Sequence, residues 1–415
     1  MSYWRPPAMA RSTASSSARP ASGAEPAPGE VARVYLDYGG FAPVDPRVVA
    51  LMRPFLEGGI GNPSAGHSVG LEARASLESA RAKVARLIGG AAAGVVFTAS
   101  ATEANNLAIK GVALRSGERR HIVTSAVEHI SVVNSCRDLE KRGYGVSWVP
   151  VDELGRVDSE AVAAALRPDT ALVSIQAASG EIGTIQPLRE IGRAARARGV
   201  PFHVDAVGAA GRLPLSVDEQ AIDLLTLSSN DLYGPPGAGA LWARPSAASL
   251  APLIVGGGQE GGLRAGTENL PGIVGMAVAA DFVRAERARE MDRLAALRDR
   301  LIRGVLDSVP VARLTGATGR ERLPHHASFV LRHVKADSVL MDLGLHGIAA
   351  SSGSACTAST GEPSHVLRAI GCDPGEREGS LCFTLGRWTT AAEVDLLLEL
   401  LPSVVERLRR LAPTA

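Results

Sequence analysis

The chain has 415 residues, of which 46% are hydrophobic and 21% are charged, a composition typical of globular proteins. Its length predicts one large domain together with a smaller one. Lys and Arg total 44 against 43 Asp and Glu, so no net charge indicates nucleic acid or a membrane surface as the main partner. We therefore expect a small-molecule substrate, with no nucleic acid and no membrane involved.

The N-terminal segment, residues 1–32, predicts a disordered tail. It is rich in Arg, Ser and Ala, as organellar transit peptides are, but its prolines would interrupt an amphipathic helix. No apolar run is long enough to span a bilayer or to act as a secretory signal. The four cysteines include no Cys-x-x-Cys pair and fit a reducing compartment, so we expect a cytoplasmic protein.

From Val34 onward, short apolar runs alternate with helical stretches. Helices are predicted for "LEARASLESARAKVARLIGG" and for "PLREIGRAARARG", which ends on Gly199. The runs between them are apolar enough to be strands buried on both faces, which predicts an α/β fold with a mostly parallel sheet covered by helices. The predicted strands are 95–100, 121–127, 146–151, 171–178, 202–206 and 224–229.

After residue 268 the pattern changes to a smaller α+β segment. A long helical stretch is followed by "HASFVLRHV", "SVLMDLGLHG", "GIAASS" and "SLCFTLGR", and the last helix is predicted to begin with a capping box of Thr390 and Glu393. We therefore predict a large α/β domain at 33–267, and a linking helix with a small C-terminal domain at 268–415.

Three polar residues lie at the ends of predicted strands or shortly after them, where open α/β sheets bind ligands. Thr102 opens a helix whose free N–H groups would suit a phosphate, although any such turn needs a polar cap. His129 would stack on a flat cofactor or serve as a hydrogen-bonded structural residue. Asp205 would hold a protonated ring nitrogen or cap a nearby loop.

Two loops are candidates for ligand or thiol chemistry. The glycine-dense stretch "GGGQEGGLRAGTEN" contains Arg264 and Thr267, which favour ligand contact over a flexible link. In "SSGSACTASTGEPSHVLRAIG", Cys356 lies among small residues, so its thiol is expected to be reachable and mobile. Cys136, within a predicted helix, is expected to be an inert small hydrophobe.

In order along the chain, these segments resemble the IscS/NifS-type cysteine desulfurases of the aminotransferase class V group, which are pyridoxal-phosphate (PLP) proteins. The similarity extends from "YLDY" at Tyr35 to the last helix. It is carried by "IGNPSAGHS", "FTASATEANNLAIKG", "EIGTIQPL", "HVDA", "GGGQEGGLRAGTENLPGIVG" and "SSGSACTAS...EPSHVLRAIG".

The resemblance implies a fold-type I homodimer with a seven-stranded-type sheet, with PLP on the large domain and a persulfide-forming cysteine, Cys356, on a mobile loop. Carried over by position, His129 would stack on the pyridine ring and Asp205 would pair with its nitrogen. The phosphate would be bound by Thr102 and Ser228, and by Thr267 from the other subunit. Sulfur from L-cysteine would pass to an iron–sulfur scaffold or another acceptor protein.

Four positions depart from the family pattern, all in the same implied pocket. The family's His-Lys pair, whose lysine bonds covalently to PLP, is Asn230-Asp231 here. An asparagine and a glutamine beside the ring correspond to Gly180 and Gly208, and the arginine that grips the substrate carboxylate corresponds to Cys382. A carboxylate cannot condense with an aldehyde, so the covalent anchor is absent and PLP would bind noncovalently and weakly.

Two functions follow from this pattern, together with a third hypothesis about metal. The first is sulfur mobilisation or iron–sulfur assembly without lysine-dependent catalysis, with Cys356 as a persulfide carrier or as a ligand of iron or of a transient iron–sulfur cluster. The alternative is an active cysteine desulfurase with noncovalent PLP. The third combines Cys356, Cys382, His129 and Asp231 in a metal or redox site.

Overall fold

The computed structural model describes residues 33–58, 61–245, 249–353 and 364–411. The predicted N-terminal tail and Cys356 lie outside these residues. The strands are β1 (Val34–Tyr35), β2 (Val95–Thr98), β3 (His121–Ser125), β4 (Gly145–Val149), β5 (Thr170–Gln176), β6 (Phe202–Asp205), β7 (Leu224–Ser228), β8 (Gly239–Ala243), β9 (Ala312–Leu314), β10 (His326–Leu331), β11 (Ile348–Ala349) and β12 (Ser380–Thr384).

Eleven α-helices lie within the described ranges. They are α1 (Pro46–Leu56), α2 (Ser68–Leu87), α3 (Ala101–Arg115), α4 (Ile130–Lys141), α5 (Ser159–Ala165), α6 (Leu188–Ala197), α7 (Leu270–Ser308), α8 (Ala336–Leu345), α9 (His365–Ala369), α10 (Pro374–Glu378) and α11 (Ala391–Leu411). Both helices that the sequence analysis names are confirmed, and Gly199 follows α6 with the positive φ of 62° that favours glycine.

A seven-stranded sheet has the order β2-β8-β7-β6-β5-β3-β4. Its strands pair in parallel except for β8, which runs antiparallel to both of its neighbours. All six predicted strands are present in it, so the α/β fold with a mostly parallel sheet is confirmed. Since apolar side chains fill both faces, the strands have the continuous hydrophobic runs expected of a covered sheet.

Two apolar clusters cover the faces of this sheet. One includes Val173, Val204 and Trp242 and extends to α2 and α7, whereas the other joins α3 and α4 through Leu107, Leu139 and neighbouring side chains. Each face is thus closed by helices, which leaves the strand ends as the accessible part of the sheet.

The C-terminal part has a core of its own around the antiparallel sheet β12-β10-β9. Leu301 of α7, Phe329 of β10, Phe383 of β12 and Leu397 of α11 meet there. The predicted capping box of α11 is confirmed, because Thr390 and Glu393 exchange backbone-to-side-chain hydrogen bonds of 2.7 and 3.3 Å.

The predicted domain boundaries, with a large domain at 33–267 and a linking helix with a small domain at 268–415, stay a prediction. The strand β1 pairs in parallel with β11, and Val34 and Leu36 belong to the C-terminal core. Across the described ranges, no helix is both long enough and apolar enough to cross a membrane.

Candidate functional site

The carboxyl ends of the parallel strands meet along one edge of the large sheet. The strand β2 leads to α3, β3 leads to the turn before α4, β6 ends on Asp205 and β7 ends on Ser228. Because these strands are parallel, the residues that follow them share one edge, where open α/β sheets bind their ligands. One glycine supports this arrangement: a Cβ on Gly239 would lie 2.6 Å from the Ser100 carbonyl carbon, so only glycine lets the start of α3 approach.

Asp205 is buried and its two carboxylate oxygens have different partners. Oδ1 accepts a hydrogen bond from the Val207 backbone N–H at 3.1 Å, and Oδ2 accepts one from the Asn105 side-chain amide at 2.7 Å. The same amide nitrogen donates to the Ser131 hydroxyl at 2.9 Å, while Asn105 Oδ1 has no partner in the part of the chain that the structure describes. Asp205 therefore both orders its loop and presents a held carboxylate at the strand edge.

His129 lies exposed at the N-terminus of α4. Its Nδ1 accepts a hydrogen bond from the Ser131 backbone N–H at 3.2 Å and lies 2.8 Å from the Ser131 hydroxyl. The ring thus caps the helix, and its Ser131 contact continues to Asn105 and Asp205. The capping role and a stacking role are compatible, because capping uses a nitrogen at the ring edge whereas stacking would use the ring face.

The remaining sequence-predicted phosphate ligands lie in different environments. Thr102 is exposed in the first turn of α3, whose N-cap is Ser100. Ser228 is buried at the end of β7 and donates a hydrogen bond to the Asn230 side-chain oxygen. Thr267 is exposed in the glycine-dense loop. The role of each as a phosphate ligand stays a prediction.

The glycine-dense loop is tied to the large sheet by Glu260. This buried carboxylate accepts hydrogen bonds from Arg81 at 2.7 and 2.8 Å and from the Phe97 backbone N–H at 2.7 Å. Nearby, Arg264 pairs with Glu103 of α3 at 3.0 Å. These contacts argue against a merely flexible link, and they place the loop beside the N-terminus of α3.

Asp231 lies in a 3₁₀ turn, Asn230–Leu232, directly after β7. Burial raises the pKa of its carboxyl to about 7, against the opposing effects of Arg212 and of a hydrogen bond with Ser228. The Asp205 charge also raises this pKa, and His129 lowers it. Asp231 is therefore close to Asp205, His129 and Ser228, and it titrates near neutral pH.

A small cavity opens beside Asp231, and it includes two of the glycines at which the sequence departs from the family pattern, Gly180 and Gly208. Among the described residues, a Cβ on Gly180 would meet no atom within 4 Å, and one on Gly208 would have its nearest neighbour at 3.8 Å. Neither backbone nor packing therefore requires glycine at these positions. Side chains would fit there, and their absence leaves the cavity open.

Arg212 and His325 line this cavity and were missed by the sequence analysis. Arg212 is 4% exposed and lies 4.9 Å above the Tyr233 ring. His325 is also 4% exposed, and burial together with the charge of Arg212 lowers its pKa well below the usual value. The double histidine of "LPHHAS" could have drawn attention to the second residue, whereas nothing local marks Arg212 as buried.

Cys382 lies in β12 next to the cavity. Its Sγ is 3.3 Å from Nε2 of His326, which also lies 3.0 Å from the Gly180 carbonyl oxygen. Burial raises the pKa of the Cys382 thiol, so it is protonated. Within the described ranges, no three His, Cys, Asp or Glu side chains are grouped to hold a metal ion; the hypothesised metal or redox site includes Cys356 and stays a hypothesis.

Gly353 and Ser364 are the described residues nearest to Cys356 in the sequence, and both lie close to Glu181, which follows Gly180. The Ser364 hydroxyl donates a hydrogen bond to Glu181 Oε1, and a Cβ on Gly353 would lie 3.3 Å from Glu181 Cγ and 3.4 Å from Cys382 Cβ. Burial raises the pKa of Glu181 to about 7. The segment containing Cys356 thus leaves and rejoins the described fold next to the cavity.

None of the lysines is near this site. The chain has four lysines, and no lysine lines the cavity. Three of them pair with carboxylates elsewhere, and Lys141 is exposed at the end of α4. The three pairs are Lys83 with Asp281, Lys110 with Asp138, and Lys335 with Glu378.

The site fits PLP only in part. The held carboxylate of Asp205 and the exposed ring of His129 suit a protonated heterocycle. Covalent attachment of the aldehyde does not fit, because the residue after Asn230 is a carboxylic acid and no lysine of the chain lines the pocket.

Comparison with known proteins gives consistent matches over nearly the whole chain. The aminotransferase class-V family profile matches residues 34–397. Cysteine desulfurase IscS 1 of Archaeoglobus fulgidus is 46% identical over 380 residues, which cover 91% of this chain and 98% of that protein. Cysteine desulfurase IscS of Dictyoglomus turgidum is 43% identical over 381 residues, covering 92% and 96%.

Solved structures show the same likeness. A NifS-like protein superimposes with a TM-score of 0.84 at 34% identity, covering 91% of this chain and 100% of the other. The NifS-like protein of Rickettsia africae gives a TM-score of 0.81 at 27% identity, covering 90% and 100%.

Proposed function

Because the chain belongs to the aminotransferase class-V family, in its cysteine desulfurase branch, we propose that it serves sulfur mobilisation or iron–sulfur cluster assembly without lysine-dependent catalysis. In this role Cys356 carries sulfur as a persulfide, or its thiolate binds iron or a transient cluster on a scaffold protein. The observation that carries the proposal is the carboxylic acid of Asp231 beside Asp205, His129 and Ser228.

Asp231 occupies the position at which the resemblance places the PLP-binding lysine. Its side chain has no nucleophilic nitrogen, and the four lysines of the chain lie elsewhere. The family lysine also moves a substrate proton, a general acid–base role worth roughly 10²–10⁴-fold in rate. Loss of both roles in one substitution supports a protein that has given up carbon–sulfur cleavage.

Electrostatics also disfavour the cofactor. PLP is the cofactor of the family, and it is an anion. An ionised Asp231 about 4 Å from a phosphate charge would repel it by about 4 kcal/mol at an effective dielectric constant near 20. Since the pKa of Asp231 is about 7, this repulsion is present above neutral pH and fades below it. Any PLP held by Thr102, His129, Asp205, Ser228 and the partner's Thr267 is therefore bound noncovalently and weakly.

The other three thiols are unsuited to sulfur transfer, which supports the role of Cys356. Cys136, Cys372 and Cys382 are all buried. Burial raises the pKa of Cys136 to about 12 and raises those of the other two as well, so little thiolate forms. Cys356 follows Gly353, which is next to the cavity, by three residues.

The proposal includes the assembly in which the protein works. A homodimer would supply Thr267 to the partner's site, and a cytoplasmic iron–sulfur scaffold or another acceptor protein would receive the sulfur. The exposed position of Thr267 in the glycine-dense loop is compatible with contact to a second subunit.

A second candidate function is an active cysteine desulfurase with noncovalent PLP, converting L-cysteine to L-alanine and a persulfide on Cys356. It is favoured by the pKa of Asp231, about 7, because a general acid–base group works best when its pKa is near the operating pH. In this case Asp231 would move the proton that the family lysine moves.

Three variants separate the two functions: wild type, Asp231→Lys and Cys356→Ser, each incubated with PLP, L-cysteine and a reducing thiol. We expect wild type to show no imine absorbance and no sulfide above the free-PLP background. If an imine band and sulfide appear only in Asp231→Lys, the pocket is otherwise competent for the family reaction and lacks mainly the amine. Turnover by wild type that Cys356→Ser abolishes would favour the second function and contradict the first.

Sulfur acceptance is tested separately. A lysine-bearing desulfurase is supplied with ³⁵S-cysteine, and label on this protein is followed by non-reducing electrophoresis. We expect label on wild type and on Cys136→Ser, but not on Cys356→Ser. A Cys356→Ser variant that is labelled as strongly as wild type would remove the proposed role of Cys356.

A further inference from the structure

The cavity beside Asp231 contains a buried cation whose hydrogen-bonding groups are not satisfied. Arg212 is 4% exposed, and its Nε and Nη1 have no hydrogen-bond partner among the residues that the structure describes. An unpaired N–H in a buried site is destabilising, and more so when the group is charged. The contact with the Tyr233 ring at 4.9 Å compensates only part of this cost.

A second unsatisfied donor or acceptor faces the same space. His325 Nδ1 is buried and has no partner within the described ranges, and the ring is neutral because burial and the charge of Arg212 keep its pKa low. The neighbouring His326 has both ring nitrogens engaged, with Arg322 on one side and with Gly180 and Cys382 on the other. The cavity therefore has one guanidinium and one neutral imidazole that are available to a ligand.

The size and the walls of the cavity limit what would fill it. The free space is about 20 Å³, which suits one or two water-sized groups and is far smaller than a nucleotide. Val207 and Leu323 give it apolar walls, and Gly180 and Gly208 leave room where a side chain would fit. A planar group with one negative charge and little or no hydrocarbon matches these limits and the guanidinium.

We propose that this cavity is a binding site for a small monocarboxylate, such as formate or acetate, with Arg212 as its cationic anchor. The carboxylate would accept hydrogen bonds from Arg212 Nε or Nη1, and the Nδ1–H tautomer of His325 would supply another donor. This inference goes beyond the proposed function and does not depend on Cys356.

Asp231 makes the binding sensitive to pH. The charged or titratable groups that face its carboxyl are Arg212, Asp205 and His129, and the Ser228 hydroxyl bonds to it. When Asp231 is ionised, its charge offsets that of Arg212 and repels a bound anion. When Asp231 is protonated, neither effect is present. With a pKa of about 7, binding weakens as pH rises from about 6 to about 8, by up to tenfold per pH unit above the pKa.

Isothermal titration calorimetry of the full-length protein with sodium formate and sodium acetate, in chloride-free buffer at about pH 6 and about pH 8, tests the proposal. We expect saturable millimolar binding to wild type at the lower pH and binding several-fold weaker, by up to about tenfold, at the higher one. Asp231→Asn, which resembles the protonated acid, is expected to bind at both pH values with little difference. Sodium chloride is the arm that distinguishes a carboxylate site from a general halide site, and chloride binding as tight as that of formate would overturn the carboxylate assignment.

Two variants of the anchor keep the test decisive. Arg212→Met removes the cation, and Arg212→Lys retains a charge in case the first variant does not fold; both are expected to lose at least about tenfold in affinity. Arg244→Met, which removes an arginine paired with Asp218 away from the cavity, is the matched control and should bind as wild type does. Wild-type affinity in Arg212→Lys, weaker binding in Asp231→Asn, or no saturable binding to wild type would each overturn the proposal.

Cys356→Ser separates this inference from the proposed function. It is expected to bind formate as wild type does, whatever the outcome of the sulfur-acceptance test. Failure of sulfur acceptance with intact formate binding would leave the carboxylate site standing, and the reverse result would refute that site alone.

Discussion

Asn105 Nδ2 donates a 2.7 Å hydrogen bond to Oδ2 of Asp205, and the same nitrogen reaches Ser131, whose hydroxyl lies 2.8 Å from the His129 ring. Asn105 thus connects the two residues on which the expected cofactor ring would depend. Asn106, its neighbour in α3, only donates to the Thr102 carbonyl oxygen near the surface.

We therefore predict that Asn105→Ala lowers the free energy of unfolding by about 1–3 kcal/mol, because it leaves the buried Asp205 carboxylate without one of its donors. Asn106→Ala is the matched control and should change it by less than about 0.5 kcal/mol. Urea unfolding followed by circular dichroism measures both values. Equal effects of the two substitutions would contradict the importance of the Asp205 contact.

The fold was largely predictable because its strands are continuous apolar runs. The ligand-binding edge of the sheet was predictable as well, because the carboxyl ends of parallel strands meet along one edge. All six predicted strands are present, and Asp205 lies at the end of β6 as expected. The start of α2 was less predictable: it begins at Ser68, where His67 Nδ1 accepts a hydrogen bond from the Gly70 N–H. Histidine is not among the usual N-cap residues, so the sequence carried little signal for this boundary.

The cavity could not be predicted in the same way. Arg212 is a charged residue in a short apolar and glycine stretch, and arginine is mostly exposed unless it is paired. Only the folded chain brings it together with Asp231, Gly180 and His325, which are distant in sequence. Composition and periodicity describe which face of an element is buried, but they do not describe the contents of a pocket that five separate segments form.

The glycine-dense loop gives a prediction with an internal control. Arg81 binds two carboxylates: Glu260, which is 1% exposed at its side chain, and Glu78, which is 58% exposed. We predict that Glu260→Gln costs about 3–5 kcal/mol of stability, because it breaks a buried ion pair and also weakens the bond from the Phe97 N–H. Glu78→Gln should cost less than about 1 kcal/mol.

Chemical denaturation of the two glutamine variants measures this difference. A loss in Glu78→Gln as large as that in Glu260→Gln would contradict the anchoring of the loop by its buried carboxylate. A small loss in both would show that neutral hydrogen bonds to Arg81 suffice.

The raised pKa of Asp231 predicts a specific pH dependence of stability. In the unfolded chain the carboxyl has a pKa of 3.8, and in the folded protein it is about 7, because burial disfavours the charge. Between these values the folded state binds the extra proton, so its contribution to stability is present below about pH 4 and is lost as pH rises to about 7.

The wild type should therefore lose stability relative to Asp231→Asn over this range, by at most about 1.4 kcal/mol per pH unit, and the difference should be constant above it. Urea unfolding at several pH values measures the difference. Asp218→Asn is the control, since the Asp218 side chain is 72% exposed and its removal should give little pH dependence. A wild type that gains stability relative to Asp231→Asn as pH rises would refute the raised pKa.

Thiol reactivity gives the last prediction. Cys136, Cys372 and Cys382 are buried and their pKa values are raised, first of all by burial, so each is a protonated thiol without access to reagent. We predict that native wild type has one fast-reacting thiol towards an aromatic disulfide reagent, that Cys356→Ser has none, and that the remaining three react more than about 100-fold more slowly until the protein unfolds. Absorbance of the released thiolate measures the number of reactive thiols, and denatured protein gives the total.

If a fast thiol persists in Cys356→Ser, mass spectrometry should identify Cys372 first, because Arg313 Nη2 lies 3.3 Å from its sulfur and favours the thiolate. In that case Cys356 would no longer be the only thiol suited to carry sulfur.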